Sequence, residues 1–146
     1  RGGSREGGGA GVPRELSEGV VMVARAEGLR KLELFTQVSA FLVVSLECAS
    51  GFVELGRTAA IDRDASPKWA SLPLPLPAHA PERLYLRLSV FDLPKSGRPR
   101  LVGHTGGELY ELQPSRSRRA LPLQLTAPGA ISESAGLLFL ETLEFV

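Results

Sequence analysis

Eight residues, Leu84 to Phe91, alternate without a break: Leu84, Leu86, Leu88 and Val90 fall on one side, and Tyr85, Arg87, Ser89 and Phe91 on the other. A period of two over that length is the pattern of a β-strand with one buried face, since successive side chains leave opposite faces of the pleat. The strand closes on Asp92, and Pro94, Ser96, Gly97 and Pro99 then force a loop before apolar residues resume at Leu101-Val102-Gly103. A strand of this kind needs neighbours, so the remaining chain must supply the rest of a sheet. An Asp at the strand end, beside a loop holding Lys95, Arg98 and Arg100, is where chemistry is to be sought.

The flanking segments read the same way. Residues 1–17 are Gly-rich and offer almost nothing to bury, which makes them a disordered linker, with the folded domain running from 18 to 146. Their triple glycine does not follow a strand or open a helix, so it is no phosphate loop. GVVMVARA, residues 19–26, is a β-branched strand, and GLRKLELFTQ after it is a loop or short helical turn. Val38 to Cys48 is the longest apolar run and fits a strand covered on both faces. Ala49-Ser50-Gly51 is turn chemistry, so FVELGRTAAI is its hairpin partner. In LPLPLP, residues 72–77, leucine alternates with proline, which cannot donate to a ladder; this is an edge strand or polyproline-like segment. LVGHTGGELYEL, ALPLQL and the closing GLLFLETLEFV supply further extended segments. About eight short strands and no helix longer than two turns predict an all-β, antiparallel sandwich or barrel.

Composition excludes several roles. Net charge is +1, so no global field draws the chain to nucleic acid. Locally, Lys95, Arg98, Arg100, Arg116, Arg118 and Arg119 outnumber Asp92, Glu108 and Glu111. A single cysteine rules out an internal disulfide, which suits a reducing, cytoplasmic compartment and argues against an immunoglobulin-like sandwich with its buried bridge. No apolar run reaches the length of a membrane-spanning helix and no signal peptide is evident. Cys48 lacks the arginine six residues on that a cysteine phosphatase would need, because Glu54 stands there. His79 and His104 lie in separate segments without a nucleophile fixed beside them, so no enzyme is expected in this chain. Trp69 reads as a core residue, and the Arg116-Ser117-Arg118-Arg119 cluster as a solvated loop.

Taken in order, four stretches resemble the C2 domain family: VVMVARAEGL, GRTAAIDRDASPKW, LRLSVFD with LVG ten residues later, and GLLFLETLEF. The likeness implies an eight-stranded antiparallel sandwich over residues 18–146 that serves membrane or protein docking. RKLELFTQVSAFLVV and the FDLPKSG to LYEL segment are similar to the N-terminal C2 domain of inositol polyphosphate 4-phosphatases, and the GRTAAI to PKW hairpin is also similar to that of copines. Calcium-binding members hold the metal with five loop carboxylates. Carried over here, the third-loop positions are Asp92, Pro94 and Arg100, and the first-loop positions are Glu33 and Ser39. Two carboxylates and a cation do not make a calcium site, which wants six to eight oxygens, several of them anionic. The resemblance therefore implies a calcium-independent member with Glu33 and Asp92 as vestigial positions and no cofactor.

Function is then expected from direct contact with an anionic phospholipid surface, placing the protein at the cytoplasmic face of a membrane as a peripheral component of a larger lipid-signalling protein. Arg30, Lys31, Lys95, Arg98 and Arg100 are the loop cations, and Leu34 and Phe35 the apolar tip. Three loop-three cations less Asp92, at about 1 kcal/mol each, plus one inserted apolar side chain give roughly 4–5 kcal/mol, a dissociation constant near 0.2–1 mM. A second, phosphoinositide contact is expected on the sheet at Arg57 and Arg87, with Arg63, Lys68 and Arg83 around it. The alternative is a protein-interaction module docking a partner on the proline-rich edge or another sheet edge.

Overall fold

A computed structural model describes residues 19–76, 84–95, 97–113, 121–125 and 133–145. The expected linker, His79, Arg83 and the Arg116–Arg119 cluster lie outside these residues. Eight strands form in chain order: β1 (Gly19–Glu27), β2 (Ala40–Cys48), β3 (Gly51–Arg57), β4 (Leu72–Pro75), β5 (Tyr85–Asp92), β6 (Arg100–Glu108), β7 (Leu121–Leu125) and β8 (Glu133–Phe145). One helical turn, α1 (Leu109–Leu112), follows β6. All pairings are antiparallel, in the order β3-β2-β5-β6 and then β7-β8-β1-β4. Among the described residues the two halves meet at one corner through a single pair, His104 with Gln124, and otherwise pack face to face as a sandwich.

The alternating strand lies inside its sheet, between β2 and β6. Leu86, Leu88 and Val90 are wholly buried, as their spacing demands. β2 is buried on both faces from Ala40 to Val44 and emerges towards Cys48. Against these side chains the second sheet sets Val20, Met22, Leu74 and Leu138, so the core is the aliphatic layer between the sheets. Trp69 belongs to it, and its Nε1 donates to the Ala40 carbonyl at 3.0 Å, which satisfies the one polar group it carries inwards. At the end where β6 finishes, Leu109 and Leu112 of α1 are buried and close that end of the core.

β4 is an edge strand with only β1 beside it. Leu72, Leu74 and Leu76 are buried, and Pro73 and Pro75 are exposed. Because proline has no N–H, the reciprocal ladder bonds to β1 fall to Leu72 and Leu74, and the prolines turn their ring nitrogens to the open side. The segment from Thr58 to Lys68 crosses between the sheets. It gives N–H groups of Ile61 and Asp64 to the carbonyls of Ala40 and Val38, and its Ala65 and Pro67 carbonyls accept from Leu29 and Ala26. That crossing gathers the end of β1, the start of β2 and the end of β5 at one end of the sandwich.

Candidate functional site

Three loops converge there: residues 28–39 after β1, residues 58–68 after β3, and residues 93–95 and 97–99 between β5 and β6. Backbone bonds stitch them together, with Leu93 N–H donating to the Ser39 carbonyl at 2.9 Å and Asp64 N–H to that of Val38 at 3.1 Å. Side chains complete the join. Ser39 Oγ donates to Asp62 Oδ1 at 3.1 Å and accepts the Arg63 N–H at 3.1 Å. Arg63 reaches this turn with a φ of 42°, the left-handed region.

Asp92 sits at the centre, only 4% exposed. Its Oδ1 accepts the Ser39 N–H at 2.8 Å, and its Oδ2 accepts Arg100 Nη2 at 2.7 Å. The same Nη2 reaches Glu33 Oε1 in the first loop at 3.3 Å. A buried carboxylate needs a compensating charge, and Arg100 supplies it from eight residues on in the same hairpin. The bond from Asp92 is the main cause of the Arg100 guanidinium being held above its usual pKa, with Glu33 adding a smaller pull. The guanidinium thus bridges the first and third loops. Two carboxylates already held by a cation do not fit a divalent metal. Among the described residues no group of three or more His, Cys, Asp or Glu side chains could hold one.

Around this bridge lies a cavity of about 350 Å³, lined among others by Glu33, Gln37, Asp62, Arg63, Lys95 and Arg100. Outside it the first loop projects Leu34 and Phe35, which are 79% and 90% exposed, and Leu93 of the third loop is also exposed. Lys31, Lys95 and Arg98 are exposed in these same loops, while Arg30 is half-buried. The loop end therefore combines an apolar tip with cations beside it.

The residues expected to gather on the sheet are divided. Arg57 lies 5.5 Å over the Phe41 ring, which stacks on Phe91, and is held by Glu54, with Nε at 2.8 Å from Oε2. Arg87 lies 5.0 Å over Phe52 at the far end of the same face. Arg63 is at the loop cavity instead, and Lys68 bridges to Arg25 beside β1. The crossing segment separates them: it leaves β3 on one sheet and arrives at the other, so residues six to eleven positions beyond Arg57 cannot share its face. Asp62, Arg63 and Gln37 are among the cavity residues that sequence reasoning did not assign to it. The Ser39 position ahead of Ala40-Phe41 was the one signal that pointed to their neighbourhood. His104, next to Ser89 across the β5–β6 ladder, is held below its usual pKa by burial and then by the charge of Arg87. Cys48 is exposed.

The molecule is thus a two-sheet antiparallel sandwich with three loops gathered at one end around a strand-end aspartate. The C2 domain family matches residues 18–122, and the chain belongs to it. The fold is similar to that of BON1-C2B, with a TM-score of 0.77 at 19% identity over 95% of this chain and 99% of that one. It is also similar to the first C2 domain (domain A) of a plant extended synaptotagmin 1, at 0.59 and 24% identity over 88% and 95%. The corresponding domain A of RIM from Drosophila matches at 0.51 and 14% identity over 87% and 91%. No curated protein matches the sequence. C2 domains are commonly membrane-, lipid- or protein-binding modules and typically non-catalytic. No helix among the described residues is long and apolar enough to cross a membrane.

Proposed function

We propose that this chain is a calcium-independent C2 module that docks its loop end on anionic phospholipid at the cytoplasmic face of a membrane. The observation that carries the reading is the Arg100 guanidinium bonded to both Asp92 and Glu33. It supplies from within the chain the positive charge that joins the loops, and it occupies the carboxylates of both Asp92 and Glu33.

That bridge also changes which cations face the lipid. Arg100 is engaged by two carboxylates, so Lys31, Lys95 and Arg98 are the outward charges, with Arg30 behind them. Three charges near an anionic surface, two apolar side chains at the tip and the net negative bridge sum to at most about 8 kcal/mol, or a dissociation constant down to about 1 μM. On the sheet, Arg57 is paired with Glu54, so a phosphoinositide contact there rests on Arg87. Protein docking on the proline-rich edge has less support, because its leucines are buried and its open side offers no N–H from Pro73 or Pro75.

Co-sedimentation with phosphatidylglycerol vesicles, in calcium and in chelator, tests the reading. Equal binding in both is expected. Binding lost in chelator overturns the calcium independence, and no binding to any anionic vesicle overturns the membrane role.

A further inference from the structure

Two buried polar atoms near the loop bridge have no hydrogen-bond partner among the described residues: the donor Nε of Arg100 and the acceptor Oε1 of Gln37. Both residues line the loop cavity. A buried group left unpaired costs about 1–3 kcal/mol, so each such group calls for an explanation. The charge of the cavity wall is informative as well. Glu33, Asp62 and Asp92 face Arg63, Lys95 and Arg100, three of each sign. A balanced wall of this kind has no net attraction for a simple anion. It suits a ligand that carries both charges a short distance apart.

We infer that the loop cavity is a metal-free site for a phosphoethanolamine group, a phosphate diester two carbons from a primary ammonium. The phosphate pairs with Arg100 Nε and Lys95, the guanidinium turning to meet it while Nη2 keeps Asp92. The ammonium donates to Gln37 Oε1 and Glu33. The source is a lipid headgroup, because Leu34 and Phe35, the two side chains most exposed at the tip, lie in the chain between Glu33 and Thr36, which line the cavity. A trimethylammonium has the same charge but no N–H, so a choline headgroup leaves Gln37 unsatisfied. The inference rests on the membrane reading above and adds the headgroup class.

The test holds anionic content fixed. Vesicles containing a constant fraction of phosphatidylglycerol are made with phosphatidylethanolamine or phosphatidylcholine as the remainder. Binding about tenfold tighter to the ethanolamine vesicles is expected, the worth of one charge-assisted hydrogen bond. Gln37→Leu should abolish that preference, which separates a headgroup contact from looser lipid packing. Soluble phosphoethanolamine should shift the Arg100 Nε–H resonance, and phosphocholine should shift it much less. Equal affinity for the two vesicle types, or a preference that survives Gln37→Leu, overturns the inference while the membrane reading stands. Absence of binding to both overturns the two together.

Discussion

At the scale of single residues, the loop end turns on one ion pair of unequal members. Asp92 is buried and Arg100 is half-exposed, so removing the arginine leaves a carboxylate that water cannot reach. Arg100→Met should lower stability by about 1–3 kcal/mol, seen as a lower urea midpoint at unchanged slope. Adding Asp92→Asn should recover part of that loss, since the amide needs no counter-charge and still accepts from Ser39. A double mutant no more stable than the single would mean that Asp92 is not the group left unsatisfied. His104 makes a second residue-level statement. Burial and Arg87 hold its folded pKa below the usual 6.5, so on acidification the unfolded chain takes up the proton first. Stability should therefore be full above that value and fall as pH drops below it. Urea midpoints between pH 7 and 5 should decline, and His104→Gln should flatten that part of the profile.

At the scale of elements, the two sheet edges are treated differently. β4 sets prolines towards solvent, whereas β3 sets Phe52 and Val53 in partial exposure with no proline among its residues. Replacing Pro73 and Pro75 by valine restores two N–H donors on the open side of β4. Concentration-dependent self-association of that variant by light scattering is the expected outcome, because an unprotected edge templates further pairing. A variant as monomeric as the parent would mean that the prolines do not guard the edge. The edge status of β4 was legible from the Leu-Pro alternation, and the inward face of β5 from its period of two, because both follow from backbone chemistry that any sheet must obey. The partners of Asp92 were legible only in part. Arg100 is its neighbour in one hairpin, but Glu33 meets that arginine across 67 positions. Nothing in DRDASP has a period, so only the folded crossing segment reveals that Arg63 joins the loops and not the sheet face.

At the scale of the whole molecule, the sandwich sets its packed strands beneath the loop end. Its strands hold Asp92 and Arg100, and Arg100 ties in Glu33, two residues before the exposed Phe35. On the proposed membrane reading two physically different forces act on one surface, and they can be told apart. Phe35→Ser removes an insertion worth about 1.5–3 kcal/mol, so vesicle affinity should fall about 10- to 150-fold, equally at low and high salt. Lys95→Gln with Arg98→Gln removes two screened attractions of about 1 kcal/mol each, roughly a 30-fold loss at low salt that shrinks as salt rises. Because the tip and the cations touch different parts of the bilayer, the triple variant should lose the product of the two effects. A triple variant no weaker than Phe35→Ser alone at low salt would mean that the loop cations never approach the lipid while the tip is inserted. The docking face would then have to be placed elsewhere on the sandwich, with Arg87 and the sheet the next surface to vary.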